Sequence, residues 1–281
     1  MTIKCRKVAM FMEEIAPKHL AEDWDNVGLI IGDFEKDIKH ILVCLDITSP
    51  IVEYAENKNV DMIISHHPLI FKPIKSICIH NWKENLISRL IKKNICVYCA
   101  HTNLDYAEEG VNRYLAQAIG LTKIKNYITK SMDKPNDIIC DIYPNELKRD
   151  VYGIGKMGVL LPPQDLTEFI DNIKNALRTR SIKLIGNIDK KINKVAVFSG
   201  SFDDRILNTI TSIADIDILI TGDIKYHTAI EILEMGMCVI DAGHFGTENI
   251  IVPQIINWLK KRFPGIVISC NTMETEPFKY Y

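Results

Sequence analysis

The sequence predicts an α/β protein built from two similar α/β halves with mainly parallel strands. Three observations lead there. Short, continuous apolar runs alternate with amphipathic segments, the pattern of a parallel sheet covered on both faces. The order ILVCLDIT, DMIISHHP, ICVYCAHTNLD recurs as VAVFSGS, DILITGDIKYH, CVIDAGHFGTE. In both sets polar residues gather where a strand gives way to a loop, the end at which open parallel sheets collect ligands.

Taken in order, Val8, Phe11, Met12, Ile15 and Ala16 recur at helical spacing and predict a helix over 4–20. WDNVGLIIGD (24–33) reads as a turn and a short strand. HILVCLDIT is a strand, SPIVEYAENKN a helix and VDMIISHHP a strand; NWKENLISRLIKKN is a helix, ICVYCAHTNLD a strand with its loop, and GVNRYLAQAIG a helix. Residues 121–150 are polar with weak periodicity. VYGIGKMGVLLP then reads as a glycine-punctuated strand and DLTEFIDNIKNAL as a helix. The alternation returns with strands at NKVAVFSGS, IDILITGDIKYH, MCVIDAGHFGTE and GIVISC, and helices at DDRILNTITSIAD, TAIEILEMG and NIIVPQIINWLKKRF. Pro253 sets the start of the last helix close to itself. The expected division is a first half over 1–120, a connecting segment over 121–150 and a second half over 151–281, the two halves forming one functional unit.

The 281 residues are 47% apolar and 25% charged, an ordinary globular balance with enough material for a core. A formal charge of −2 gives no general reason to expect nucleic acid or an anionic membrane as partner. Charges interrupt every apolar run of the N-terminal stretch, which does not read as a signal peptide. No run approaches the ~20 apolar residues that span a bilayer, so the expected location is the cytoplasm. Eight cysteines are scattered through the chain, several within apolar runs, which fits reduced, buried thiols. Cys96 and Cys99 form a CxxC, but on a strand they face opposite sides and read as packing. Trp24, Trp82 and Trp258 also read as packing residues.

The chemistry-bearing residues cluster at three strand ends. SHHPLIF supplies His66 and His67, AHTNLD supplies His101 and Asp105, and DAGHFGTE supplies Asp241, His244 and Glu248. Taken singly, each pair is equally a set of helix caps and surface groups; Glu248 in a first helical turn is favourable for dipole reasons alone. Together, imidazoles with one aspartate and one glutamate form a mixed nitrogen and oxygen set suited to Zn, Mn or Fe. In a regular strand the rings of His66 and His67 would face apart, and a loop beginning there, helped by Pro68, turns both to one side. His101 and His227 are expected to orient a ligand or face substrate, with a core role open for His227. Asp25, Asn26 and Asp46 either line the cleft or serve turns and caps, and Lys225 and Tyr226 either meet an anionic substrate or begin a helix.

WDNVGLIIGD, LVCLDIT, SHHPLIF, AHTNLD, GIGKMGVL, TGDIKYH, DAGHFGTE and the C-terminal EPF run in this order nearly end to end. In these stretches the chain resembles the Nif-three-like proteins, often named GTP cyclohydrolase 1 type 2 homologs. The resemblance implies the Nif-three-like fold and a dinuclear metal centre carried by His66, His67, Asp105, His244 and Glu248. It also implies a homohexamer arranged as a trimer of dimers. Some members carry an inserted domain between the halves, and this chain resembles the minimal form. Where members have an SGSG-like turn, this chain has SGSFDD (199–204), whose Asp203 and Asp204 would repel a phosphate.

The expected activity is hydrolytic, with two divalent ions (Zn, Fe, Mn, Co or Ni) generating a metal-bridged hydroxide as nucleophile. His101 is the expected proton donor or acceptor. The resemblance implies a nucleotide or other small polar substrate and, for GTP, attack at C8 with release of formate. A metal-dependent phosphoester hydrolase and a non-catalytic metal-binding scaffold or regulatory protein are the alternatives.

Overall fold

The computed structural model describes residues 1–131, 138–139, 151–204, 207, 210, 215–270 and 276–280. Most of the segment expected to connect the halves, most of the helix expected over 203–215, and Cys140 fall outside these residues.

In chain order the elements are β1 (Ile3–Lys4), α1 (Cys5–Ile15), β2 (Gly28–Ile31), β3 (Asp37–Ile38), β4 (His40–Cys44), α2 (Ser49–Asn57), β5 (Met62–Ser65), α3 (Trp82–Lys92), β6 (Cys96–Cys99), α4 (Thr102–Tyr106) and α5 (Val111–Ala118). There follow β7 (Thr122–Ser131), β8 (Ile138–Ile139), β9 (Val151–Gln164), α6 (Leu166–Leu177), β10 (Lys183–Ile185), β11 (Ile192–Ser201), β12 (Ile218–Gly222), α7 (Tyr226–Glu234), β13 (Val239–Asp241), α8 (His244–Glu248), α9 (Ile251–Arg262) and β14 (Val267–Cys270). The first helix is shorter than the apolar spacing predicts. Pro17 has no N–H to donate and disfavours helical backbone at Ala16, so only a 3-10 turn, Lys18–Leu20, follows. Asn59, Asn94 and Gly120 lie just past α2, α3 and α5 in the left-handed conformation, at φ of 51°, 53° and 85°, which closes a helix C-terminus.

The chain divides into two compact units, one of residues 1–107 with 251–275 and the other of 108–250 with 276–281. These boundaries differ from the expected 120 and 150 because the C-terminal strand returns to the first sheet, where β14 pairs in parallel with β4. Such a pairing is long-range and leaves no mark in local periodicity.

In the first unit the sheet order is β14-β4-β5-β6-β2, with β14, β4, β5 and β6 parallel and β2 antiparallel at the edge. Every residue of β5 and β6 is buried, so both faces are covered. On one face Leu42, Ile63 and Val97 pack with Ile51, Val52 and Ala55 of α2 and Leu86, Ile87 and Leu90 of α3. Each large aliphatic side chain so buried contributes roughly 1.5–3 kcal/mol.

In the second unit the order is β10-β13-β12-β11-β9-β7-β8. The strands β11, β12 and β13 are parallel, whereas β9, β7 and β10 join antiparallel. The start of the expected connecting segment, β7, is thus a strand hydrogen-bonded to β9. Phe169, Ile173 and Leu177 of α6 pack on Val195, Val197, Ile218 and Ile220.

The described cysteines are thiols, with no disulfide among them. Cys96 donates to the carbonyl of Asp33 at 3.8 Å, while Cys99 donates to the carbonyl of His66 at 3.0 Å, so the CxxC pair does face apart. Trp24 and Trp82 are exposed rather than packed away.

Phe169 is fully buried at the centre of its cluster. Phe169→Ala is expected to destabilise the protein by about 3–5 kcal/mol, read as a lower urea midpoint.

Candidate metal centre

The first unit gathers its polar residues at the carboxyl ends of β5 and β6. Beyond Ser65 the backbone remains fixed, since His66 N–H donates to Cys44 O (3.2 Å) and His67 N–H to Leu45 O (2.9 Å). The Ser65 hydroxyl donates to the carbonyl of His67 at 2.8 Å. Departure from regular strand geometry brings the two rings to one side, 5.0 Å apart at 45°. The ring of His101 lies 5.2 Å from that of His66 and 5.5 Å from that of His67. His101 itself stands where β6 gives way to α4, its N–H capped by Asn103 Oδ1 at 2.9 Å.

What each imidazole offers follows from what its Nδ1 meets. His66 Nδ1 lies 2.8 Å from Ala100 O, His67 Nδ1 2.8 Å from Asp46 Oδ1, and His101 Nδ1 2.9 Å from Asp25 Oδ1. A carbonyl and ionised carboxylates can only accept, so the proton sits on Nδ1 and the Nε2 lone pair is presented outward. Ligand atoms of these three histidines lie within 4.8 Å of one another. Asp105, one turn along α4 from His101, sets Oδ1 3.7 Å from His66 Nε2. Two donors about 2.1 Å from one tetrahedral cation stand about 3.4 Å apart, so that spacing suits a shared ion better than a direct hydrogen bond.

The second unit holds His244 and Glu248 on one face of α8, with His244 Nε2 2.9 Å from Glu248 Oε2. His244 Nδ1 meets Asp223 Oδ2 at 2.8 Å, the same anchoring as in the first unit. Glu248 is 3% exposed. Gly200, at φ +68°, makes room for it, because a Cβ there would lie 1.9 Å from Glu248 Oε1 and 3.4 Å from His244 Nε2. Thr247 is buried beside them and its Oγ1 accepts from Gly200 N–H at 3.0 Å. The donor chemistry therefore fits divalent cations, with neutral imidazole nitrogens beside carboxylate oxygens on rigid supports.

The family profile of Duf34/NIF3 (NGG1p interacting factor 3) matches residues 3–277. The chain belongs to the Duf34/NIF3 family. Within it, a GTP cyclohydrolase 1 type 2 homolog of Clostridium acetobutylicum is 36% identical over 248 residues, covering 88% of this chain and 86% of its own length. The protein of that name in Clostridium perfringens is 32% identical over 279 residues, covering 99% of this chain and all of its own. A crystal structure of a Bacillus cereus protein related to NIF3 superposes with a TM-score of 0.84 at 24% identity, covering 99% of both chains. The α/β architecture is that of NIF3 structures.

Measured against the expected site of a NIF3 protein, His66, His67, His101 and Asp105 come together in the first unit, and His244 and Glu248 in the second. His227 is exposed on α7, beside Tyr226 at 5.4 Å, and is not a core residue. Asp241 is buried and bonded to Lys183 Nζ (2.9 Å) and Gly243 N–H (3.1 Å), so it braces the turn into α8. Lys225 reaches Asp204 at 3.3 Å. Sequence reasoning left the roles of Asp25 and Asp46 open and did not single out Asp223. Their common signal is position, an acid in the turn or strand-end loop beside each histidine. Among the described residues, no helix is long and apolar enough to cross a membrane.

Burial would raise the Asp25 carboxyl, but hydrogen bonds from His101 and Thr102 outweigh it and hold the group down at about 2, against an ordinary 3.8. A depressed carboxylate stabilises the fold fully above its unfolded value and loses that contribution as pH falls through its folded one. Asp25→Asn is expected to cost about 2 kcal/mol at neutral pH. The gap should narrow between pH 4 and 2 in urea titrations of both proteins at stepped pH.

Proposed function

We propose that the chain is a metal-dependent hydrolase in which His66, His67, Asp105, His244 and Glu248 hold two divalent cations. The observation that carries this reading is the shared anchoring of His66, His67 and His244, each held through Nδ1 by an acceptor, so that Nε2 is the nitrogen left to ligate an ion. Asp105 and Glu248 supply the carboxylates, of the kind that can bridge two ions. Such a donor set suits Zn, Fe, Mn, Co or Ni. Bound there, the ions would acidify water and polarise a substrate.

The chain's own residues do the rest. Asp46 and Asp223 fix the tautomers and orientations of His67 and His244. Asp25 does the same for His101, whose Nε2 is left to accept a proton or, once charged, to return it. Catalysis by His101 is the role we assign it. The names of the relatives support GTP as the first substrate, with water opening the guanine ring at C8 and formate leaving. The family likeness also supports a homohexamer, a trimer of dimers, working in the cytoplasm.

Protein loaded with each of the five metals is expected to hold two ions per chain by elemental analysis and to release formate from GTP. His66→Ala and Glu248→Gln should each lose metal and cut turnover at least 10- to 100-fold. Turnover indifferent to both substitutions contradicts the proposal. Retained metal with no turnover of GTP, phosphomonoesters or phosphodiesters would make the centre a scaffold instead.

A further inference from the structure

Two aromatic side chains beside His101 have no part in the chemistry described so far. Trp24 and Phe71 come from separate loops yet stand edge to face, with centroids 5.5 Å apart at 61°. Both rings flank His101, at 6.2 Å and 6.3 Å. Neither is buried, with Trp24 49% and Phe71 39% exposed. Large apolar rings in a packing role would be covered, so the exposure calls for another account.

The rings are held by a rigid frame. Asn26 Nδ2 donates to Ile70 O at 2.6 Å, which ties the loop of Trp24 to that of Phe71. Asp25, between Trp24 and Asn26, is bound to His101 Nδ1 and to Thr102 N–H at 2.9 and 3.0 Å. Three consecutive residues thus lock one aromatic wall, one imidazole and the second wall together. A preorganised pair of exposed ring faces loses little entropy on covering a flat ligand.

We infer that Trp24 and Phe71 form a stacking subsite for a planar heteroaromatic ring, which they present to His101. A flat ring stacked on the indole face meets the Phe71 ring edge to face, as the two side chains already meet each other, and lies beside the ring of His101. A branched aliphatic group would leave the indole face or the imidazole uncovered. Nucleobase-like rings have this shape, and stacking on aromatic side chains tolerates any of them. The inference rests on the hydrolase reading for its substrate class, but not for its test.

The test is equilibrium binding to the metal-loaded full chain, followed by tryptophan fluorescence and calorimetry, with guanosine 5′-monophosphate and ribose 5-phosphate as probes. The ring-bearing probe should quench the signal of Trp24 and bind at least about tenfold more tightly than the sugar phosphate. Trp24→Ala and Phe71→Ala should each weaken it about tenfold, and Trp24→Phe should restore most of the loss. Equal binding of the two probes, no binding of the ring-bearing probe, or indifference to Trp24→Ala would overturn the inference. So would a lower solution mass of Trp24→Ala with ring binding intact, since the patch would then serve a second copy of the chain. If the protein binds the ring through Trp24 yet turns nothing over, hydrolysis fails and the subsite stands. If turnover is found and Trp24→Ala changes neither binding nor KM, the subsite fails alone.

Discussion

A hydrogen bond from Nδ1 to an acceptor that cannot donate is the constraint on which the site depends. It occurs at His66, His67, His101 and His244, with a backbone carbonyl as acceptor once and a carboxylate three times. Each bond selects one tautomer, fixes one ring plane and raises the basicity of the remaining nitrogen. Without it an imidazole at the end of a strand could present either nitrogen or rotate away. The cost is burial of polar groups: His66 is fully buried, and the carbonyl of Ala100 offsets part of that cost by accepting from Nδ1.

The fold supplies these partners by geometry rather than by sequence proximity. In the first unit β4, β5 and β6 are parallel neighbours, so the residues just past Cys44, Ser65 and Cys99 emerge side by side. Asp46, His67 and His101 are therefore adjacent although far apart in the chain. The second unit repeats the device, with Gly222 and Asp241 ending neighbouring strands and Asp223 and His244 just beyond. Gly200 and Gly222 allow backbones there to approach α8 more closely than a Cβ would permit, which is why glycine closes both strand-end motifs, SGS and TGD.

Much of this was legible in the sequence, and the limits were physical. Alternating apolar runs and amphipathic segments located most of the strands and helices, and strand-end position singled out His66, His67, His101 and Asp105, which meet in the first unit, and His244 and Glu248, which meet in the second. The return of β14 to β4 was not legible, because parallel pairing across the chain leaves no local period. Trp24 was misread because size and hydrophobicity alone imply burial, whereas its exposure is set by how Asp25 and Asn26 hold the turn. The anchoring carboxylates were visible as residues but not as partners. An aspartate after a strand serves equally well as a cap, and only the tertiary arrangement assigns it to a ring.

The most direct measurement is of the histidine tautomers, by long-range proton–nitrogen correlation NMR of labelled, metal-free protein at neutral pH. The account predicts that His66, His67 and His101 carry their proton on Nδ1, and that the Nε2 resonances of His66, His67 and His244 move on addition of zinc. A proton on Nε2 rather than Nδ1 of His66, His67 or His101, or Nε2 resonances indifferent to the metal, would contradict it.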